Sequence, residues 1–296
     1  MSRRTSPSTH RPYGIARVLR VWELPRSTFY AQRVRQTHPA TGRRGRTPTL
    51  DDAALLTQIR AVIAESPFHG EGHRKIWARL RAFKGVRTSM RRVLRVLREA
   101  ELLAPARHPE PVVERPHEGT IVTDRPNVMW GTDATAAVTV LEGPATIFAA
   151  IDHCTAECVG IHAARHGDRF EALEPVRQGV RDHFGIIGPA VAGGLALRHD
   201  HGSVYLSADF QTEITFLGLT SSPAFVRQPE GNGCIERFFR TLKEQLLWVR
   251  HFSTIEELRQ ALIAFKETYN REWLIARLGY RSPAQVRQAF ALTSAA

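Results

Sequence analysis

The stretch Gly231-Asn-Gly-Cys-Ile-Glu-Arg-Phe-Phe-Arg-Thr-Leu-Lys-Glu244 begins as a loop and continues as an amphipathic helix. Two glycines around an asparagine allow the unusual backbone angles of a tight turn. Apolar residues then recur on one helical face, at Ile235, Phe238, Phe239, Leu242 and Leu246. Glu236, Arg240 and Lys243 follow at i, i+4 and i+7 beside that stripe. The stretch therefore predicts a helix that packs on a core and holds one carboxylate and two cations at the edge of that core.

The net charge of the 296 residues, +12, is unevenly distributed along the chain. Residues 1–126 contain 25 Lys and Arg against 11 Asp and Glu, a net charge of +14, whereas residues 127–296 carry −2. A basic half of this size is typical of a protein that binds a polyanion, because its cations displace the counterions of phosphates. The alternative that composition leaves open is a basic surface that is only solvated.

Composition also excludes several classes of protein. Hydrophobic residues make up 43% of the chain and charged residues 24%, which is ordinary for a globular protein. No apolar run is long enough to span a bilayer, and no apolar signal region follows the basic N-terminus. The three cysteines, Cys154, Cys158 and Cys234, form no disulfide framework, so we expect a reducing, cytoplasmic environment and no membrane partner.

Two basic helical units are predicted in the front half. Residues 1–46 form a basic helical N-terminal segment, in which Ser27 is expected to cap a short helix from Thr28 to Arg35. Residues 47–104 form a three-helix unit of helix-turn-helix type. Its last helix places Arg91, Arg95 and Arg98 at i, i+4 and i+7, and we expect these arginines to bind DNA. An ordinary three-helix subdomain with a solvated basic face is the alternative.

A proline-rich linker at 105–124 is followed by a change in character. Residues 125–250 predict a mixed α/β layer, in which three strands form an antiparallel meander before helices and further strands alternate. Residues 251–296 predict a helical tail. Two capping signals support the tail, a capping box at Ser253-Thr-Ile-Glu256 and a cap with proline at the first helical position at Ser282-Pro283.

Three acids stand at special points of this layer. Asp133 lies in the first strand, Asp200 ends a later strand and Glu236 opens the helix quoted above. Three hard oxygen ligands without cysteine suit Mg²⁺ or Mn²⁺. Two such ions about 4 Å apart stabilise both the attacking and the leaving oxygen of a phosphodiester. Spacing alone leaves other acids as rivals, namely Asp152, Asp209 and Glu244.

The run from Trp130 to Glu244 resembles the integrase core of DDE transposases and retroviral-type integrases, an RNase H-like fold. More narrowly, the chain resembles bacterial insertion-element transposases whose second reading frame encodes such a core. The segments that carry this resemblance are Arg198-His-Asp-His-Gly-Ser-Val-Tyr-Leu-Ser207, Asn232 to Glu244, Tyr269-Asn270 and Leu278-Gly-Tyr-Arg-Ser-Pro283. His69-Gly-Glu-Gly-His-Arg-Lys-Ile76 resembles the helix-turn-helix segment that precedes the core in those proteins.

The resemblance implies a catalytic and metal-binding triad of Asp133, Asp200 and Glu236, with 35 residues between the last two. It implies two Mg²⁺ or Mn²⁺ ions and a DNA contact at Lys243, and we expect Arg240 and Asn232 to contact DNA beside it. The implied activity is cleavage and transfer of DNA strands at the ends of an insertion element. The loop Pro229–Cys234 and His201 depart from the usual pattern, which affects the preference for DNA ends more than the chemistry.

The implied partners are double-stranded DNA, both as terminal inverted repeats and as target, and a second copy of the chain in a homodimer or higher oligomer. A protein from an upstream reading frame of the same element is a further expected partner. The expected location is the bacterial cytoplasm, on the nucleoid. Two alternatives remain: a DNA-binding regulator or assembly subunit with a silent core, and an RNase H-like nuclease that cuts without joining.

A cluster of Cys154, Cys158, His153 and His162 raises the alternative of a zinc site. The Cys-x3-Cys-x3-His spacing falls on a predicted strand and turn, and no second pair completes it. We therefore interpret these residues as part of the core.

Overall fold

The computed structural model describes residues 3–37, 50–104, 121–224 and 232–294. The chain forms two compact units, Met1–Leu50 and Asp51–Ala296. Most of the predicted linker at 105–124 and the loop residues 229–231 lie outside the described residues. None of the described helices is both long enough and apolar enough to cross a membrane.

The first unit contains two helices, α1 (Ile15–Val21) and α2 (Arg26–Thr37). The predicted start of the second helix was wrong, since α2 begins two residues before Thr28. The amide of Phe29 donates to the carbonyl of Pro25 at 3.2 Å, so the first helical turn already contains Ser27. Proline fixes a backbone angle that suits a helix start, and the helix forms directly after it.

The second unit begins with three helices, α3 (Asp52–Glu65), α4 (His73–Phe83) and α5 (Met90–Glu99). Side chains cap two of them as expected for Asp and Ser, since Asp51 accepts from Ala54 N at 2.7 Å and Ser89 accepts from Arg92 N at 3.2 Å. Their apolar faces meet in a small core that contains Leu55, Ile59, Leu80, Val93 and Leu97. The three predicted helices are confirmed.

A five-stranded mixed sheet follows. Its strands are β1 (Met129–Thr139), β2 (Gly143–Asp152), β3 (Cys158–Ala164), β4 (Ala196–His199) and β5 (Thr220–Pro223). The order across the sheet is β3-β2-β1-β4-β5. β1, β2 and β3 pair antiparallel, whereas β4 pairs parallel to both β1 and β5. The predicted meander and mixed sheet are confirmed, and β1 is the central strand.

Helices cover both faces of the sheet. On one face, α6 (Arg169–Phe184) and α7 (Ala208–Leu217) pack around a core with Trp130, Phe148 and Leu197. On the other face, α8 (Gly233–Leu242) and α9 (Ile255–Glu272) pack around Ile147 and Ile151. Because successive residues of a strand point to opposite faces, Trp130 and Asp133 of β1 lie on opposite sides, and Asp133 lies on the side of α8.

The quoted stretch forms α8 and then widens into a π-helical turn, Lys243–Leu247. The tail continues through a 3₁₀ turn, Ala276–Leu278, to α10 (Pro283–Ser294). At α10 the expected cap is confirmed, because Gln285 N donates to Ser282 Oγ and Ser282 N donates to Gln285 Oε1. At α9 the expected cap was wrong by one residue: Thr254, not Ser253, accepts from Glu257 N at 3.1 Å.

The Tyr269-Asn270 pair fastens α9 to β3. The amide side chain of Asn270 exchanges two hydrogen bonds with the backbone of Cys158, each of 2.9 Å. The hydroxyl of Tyr269 donates to the carbonyl of Ala156 at 3.2 Å. Backbone groups at an edge strand need partners, and α9 supplies them here.

The loop between α3 and α4 inserts into the core of the sheet. Phe68 is 5% exposed and its ring lies 4.7 Å from that of Trp273, edge to face. The backbone of His69 exchanges two hydrogen bonds with the side chain of Gln245, of 2.8 and 3.1 Å. Arg79 of α4 pairs with Glu71 and donates to the carbonyl of Glu272. Phe68 therefore belongs to the core under α9, and the polar contacts of this loop and of α4 join the three helices to the sheet.

Candidate active site

Asp133 stands in the middle of β1, opposite Ala149 of β2. Its carboxylate is half-buried, and Oδ1 accepts a hydrogen bond of 2.8 Å from the amide of Ala134. β1 pairs with β2 from Trp130 to Thr139, whereas its pairing with β4 covers only Met129 to Gly131. The backbone of Asp133 is therefore held by β2, two residues beyond the last pair with β4.

Asp200 follows β4 directly and is exposed. β4 pairs parallel to β1 up to the pair of Gly131 and Arg198, which stand two residues before Asp133 and Asp200. Asp200 Oδ1 accepts from the amide of Gly202 at 2.8 Å. A Cβ atom at Gly202 would lie only 2.9 Å from that oxygen, so glycine lets the loop close around the carboxylate.

Glu236 lies in the first turn of α8 and is exposed, while Ile235, Phe238 and Leu242 are buried against the sheet. The start of the helix is tied to β1, because the side-chain amide of Asn232 donates to the carbonyl of Thr132 at 3.4 Å. Thr132 immediately precedes Asp133, so this bond brings the first turn of α8 to the aspartate.

The electrostatics of Asp133 link these elements. Burial raises the pKa of Asp133 to about 6, and the hydrogen bond from Ala134 opposes that rise. The negative charges of Asp200 and Glu236 raise the pKa further, and the positive charge of Lys243 lowers it. The two other predicted carboxylates and the predicted cation therefore all act on Asp133.

The candidate ligands suit a hard divalent cation, because they are oxygen atoms and carry negative charge. Every candidate ligand is a carboxylate oxygen, and the pKa of Asp133 is raised by burial first and then by the charges of Asp200 and Glu236, which a cation would offset. As the described side chains stand, no three of the His, Cys, Asp and Glu residues among them are gathered closely enough to hold one metal ion. The carboxylates are neighbours rather than a closed cage.

The cations predicted to bind DNA beside this site differ in their surroundings. Lys243 is half-buried at the start of the π turn. Arg240 is exposed and pairs with Glu244 at 3.0 Å. Asn232 is only 6% exposed, so its side chain serves the link between α8 and β1.

The three arginines of α5 that were predicted to bind DNA also differ in their surroundings. Arg91 and Arg98 are exposed. Arg95 is engaged by two carboxylates, with Asp52 at 2.7 Å and Glu99 at 2.9 Å. Arg92, which the sequence did not single out, pairs with the same Asp52. The hydrogen bonds from Arg95 and Arg92 lower the pKa of Asp52.

The rival acids have partners of their own. Asp152 is fully buried at the end of β2 and accepts from the amides of Asn127 and Thr155. Asp209 pairs with Arg169 across the starts of α7 and α6. The described contacts of both carboxylates hold local structure together.

The histidines and cysteines of the proposed zinc alternative also have other contacts. His162 Nε2 lies 2.6 Å from Glu171, and His153 Nδ1 donates to the carbonyl of Ile121 at 2.9 Å. Cys154, Cys158 and Cys234 are buried free thiols, and burial raises the pKa of Cys158 to about 12. Their described contacts are those of core residues.

Sequence reasoning missed two features next to the carboxylates. The buried hydroxyl of Tyr205 is close enough to Asp133 and Asp200 for both charges to raise its pKa, after burial as the larger cause. Gly131 lets β1 approach two buried polar atoms, since a Cβ there would lie 2.7 Å from His153 Nε2 and 3.0 Å from Asn232 Oδ1. The position of Gly131, two residues before Asp133, was the available signal.

Two family descriptions match parts of the chain. Residues 49–110 match the HTH-like domain, and residues 217–283 match the integrase core domain. Transposase InsD for insertion element IS2A/D/F/H/I/K of Escherichia coli is 28% identical over 286 residues, which cover 93% of this chain and 91% of that protein. The insertion element IS2A uncharacterized 48.2 kDa protein of Escherichia coli is also 28% identical, over 95% of this chain and 66% of its own length.

Solved structures that align with part of the chain include retroviral integrase core domains. That of HTLV-2 integrase in complex with magnesium is 16% identical and covers 55% of this chain and 98% of its own, with a TM-score of 0.42. That of BIV integrase is 15% identical and covers 57% of this chain and 99% of its own, with a TM-score of 0.42. The chain is thus similar, along nearly its whole length, to insertion-element transposases of Escherichia coli, and parts of it match the HTH-like domain and the integrase core domain.

Proposed function

We propose that this protein is a DNA transposase that cleaves DNA strands at the ends of an insertion element and joins them to target DNA. The observation that supports the proposal is that the charges of Asp200, Glu236 and Lys243, from a strand end, a helix start and the π turn after that helix, all act on Asp133 of the central strand. Chains similar to this one include named transposases, which supports the same activity.

Asp133, Asp200 and Glu236 would hold two Mg²⁺ or Mn²⁺ ions. When bound, such ions supply Lewis-acid charge to the attacking and the leaving oxygen of a phosphodiester. Asp133 binds as the carboxylate, so its proton must leave, and the raised pKa means that the carboxyl keeps its proton up to about pH 6. Asp200 is held for the same task by the amide of Gly202. Lys243 provides positive charge to a DNA phosphate at the edge of the site.

The reaction needs no covalent bond to the protein. In cleavage, a water oxygen bonds to the phosphorus, the bond from phosphorus to the 3′ oxygen breaks, and a 3′-hydroxyl is left at the element end. In transfer, the oxygen of that hydroxyl bonds to a phosphorus of the target DNA, and the hydroxyl releases its proton. One of the bonds that join the same phosphorus to the target strand breaks at the same time. The role of the chain is to position both strands and to hold the charges that stabilise the displacement.

Binding of the element ends is assigned to the basic helical units at 1–46 and 47–104, with Arg91 and Arg98 of α5 facing the phosphates. Two ends must be handled together, which requires a homodimer or a higher oligomer. A protein from an upstream reading frame of the same element is a further proposed partner.

The variant Asp200→Asn tests the activity. Strand cleavage and strand transfer are expected to vanish with Mg²⁺ or Mn²⁺, while binding to the inverted-repeat DNA that flanks the coding sequence persists. Asp209→Asn, which changes an acid outside the site, is the matched control and should retain transfer. Unaltered transfer by Asp200→Asn would reject the assignment.

The same assay separates the alternatives. A wild-type protein that binds the repeats but neither cuts nor joins them is a regulator or assembly subunit with a silent core. A protein that cuts and leaves all products unjoined is a nuclease.

A further inference from the structure

A groove opens between β1 and the chain segment that follows α8. Its volume is about 300 Å³, and its lining includes Val138, Lys243, Leu247, Trp248, Arg250 and His251. Two backbone hydrogen bonds hold the far wall in place, from Val140 N to Phe252 O at 2.9 Å and from Leu141 N to Ser253 O at 3.0 Å. The groove is therefore a formed feature of the sheet edge, at the small end of the usual size range for ligand sites.

Trp248 is held on the surface of this groove rather than in a core. The π turn Lys243–Leu247 ends with a hydrogen bond of 2.9 Å from Trp248 N to Lys243 O, five residues back. Turns of this kind recur at functional sites. The side chain of Trp248 is 70% exposed, and its neighbour Val138 is 73% exposed. An indole held in water beside further apolar surface offers a flat face to a second flat, apolar group.

The charges around the groove indicate which kind of molecule would place a flat group against Trp248. Lys243, Arg250 and His251 line it together with the indole. One donor of Arg250 is engaged by Glu257 at 2.9 Å, and its guanidinium lies over the ring of Phe252 at 5.1 Å from the centroid. A contact of this surface with itself would bring like charges together, whereas a nucleic-acid strand presents flat bases and anionic phosphates.

The groove lies further along the strand that holds Asp133, since Ala136, Ala137 and Val138 of β1 are part of its lining. Lys243 also lines the groove, and its charge acts on Asp133. A DNA strand that runs along β1 from Asp133 would therefore meet Lys243 and Trp248.

We propose that Trp248 is a stacking platform for one unpaired base of the DNA strand that leaves the carboxylate site, with Arg250 and His251 at the adjacent phosphates. The proposal rests on the proposed function, because it takes the strand at the carboxylates to be DNA. It adds to that function a preference for DNA that is unpaired next to the cut.

The test compares two DNA probes in Ca²⁺ buffer, which permits binding without chemistry. One is a short duplex with an unpaired arm that contains 2-aminopurine, and the other is the fully paired duplex of the same sequence. Trp248→Ala should weaken binding of the armed duplex about tenfold and abolish the quenching of 2-aminopurine. Binding of the paired duplex should stay within about twofold, since the cations remain.

Two further variants sharpen the test. Trp248→Phe keeps an aromatic face and should restore most of the affinity for the armed duplex. Val249→Ala removes an exposed apolar side chain next to Trp248 that does not line the groove, and it should bind both probes like the wild type.

If Trp248→Ala lost equal affinity for both probes, or lost affinity for neither, the stacking proposal would be rejected. A shift of Trp248→Ala to a smaller oligomer with unchanged DNA affinity would also reject it, and would identify the groove as a contact between copies of the chain. Absence of strand transfer by a wild-type protein that still quenches 2-aminopurine would reject the transposase activity and support the platform. Normal transfer together with equal affinities would reject the platform alone.

Discussion

At the scale of single residues, Asp133 shows how the site costs the protein stability. Its carboxylate is half-buried beside two other carboxylates and receives one backbone hydrogen bond. A folded-state pKa of about 6, against 3.8 in the unfolded chain, means that folding disfavours the charged form. The folded protein therefore loses stability as the pH rises from about 3.8 to about 6, and stays at the lower level above that.

The variant Asp133→Asn removes this titration. At pH 8 the variant should be more stable than the wild type by up to about 3 kcal/mol, and near pH 4 the two should be nearly equal. Urea unfolding at several pH values measures the difference. Mg²⁺ should stabilise the wild type at pH 8 and the variant much less, because a cation bound only to the folded state adds to its stability.

A stability difference between Asp133→Asn and the wild type that does not change with pH would contradict the raised pKa. Asp209→Asn serves as the control at the same pH values, since Asp209 is an exposed acid paired with Arg169.

The sequence predicts the candidate carboxylates better than it predicts the residues around them. Asp133, Asp200 and Glu236 sit next to local signals, a strand, a strand end and a glycine loop before an amphipathic helix. Tyr205 and His153 come near the site only through long-range packing. No periodicity in the chain marks such contacts, so the sequence predicted the candidate carboxylates but not the residues that surround them.

At the scale of elements, the arginines of α5 share one helical spacing but differ in their contacts. Arg95 is engaged by Asp52 and Glu99, and Arg92 by Asp52, which joins α5 to α3. Arg91 and Arg98 are exposed on the same helix. The i, i+4, i+7 pattern could not distinguish them, because Asp52 lies 40 residues or more away in sequence.

Arg91→Gln and Arg95→Gln should therefore have different effects. Arg91→Gln should weaken DNA binding and lower the slope of log affinity against log salt by about 1, with little change in unfolding. Arg95→Gln should shift the urea midpoint more than the salt slope. Salt titrations of DNA affinity and urea unfolding of both variants are the measurements. Equal loss of salt slope in the two would show that Arg95 leaves its carboxylates to meet DNA.

The start of α9 shows how tertiary contacts decide between equivalent local signals. Ser253 and Thr254 are both followed by glutamate three residues later, so either one satisfies the capping pattern. Ser253 is instead held outside the helix, since its carbonyl accepts from Leu141 N. The amide of Ile255 donates to Glu142 at the tip of the β1–β2 hairpin. The hairpin thus selects Thr254 as the cap, and a helical pattern alone cannot contain that information.

At the scale of the whole molecule, the helices α3–α5 and the sheet lie in one compact unit. The sequence predicted separate segments at 47–104 and 125–250, because the proline-rich stretch between them reads as a boundary. Phe68, His69 and Arg79 cross from the helices to the core of the sheet. Such contacts depend on residues far apart in the chain, which is why composition and periodicity did not predict them.

Phe68→Ala should destabilise the helices and the sheet together. Removal of a buried phenylalanine costs about 3–5 kcal/mol, and here the lost contacts are with Trp273 and the core under α9. Hydrogen exchange should show that α4 and β3 lose protection by the same amount. Phe170→Ala, at an exposed position in α6, should change little. Loss of protection confined to α3–α5 would show that the bundle opens independently.

The insertion of Phe68 also bears on how a DNA end would be measured. If α3–α5 bind the repeat while the carboxylates cut it, the contacts between these helices and the sheet fix the distance between the bound sequence and the cut position. Each base pair inserted between the bound sequence and the cut position would rotate the scissile phosphate by about 34° around the duplex axis. Cutting should then fall steeply with one inserted pair and recover only for insertions near a full helical turn, if the DNA can bend to make up the added length.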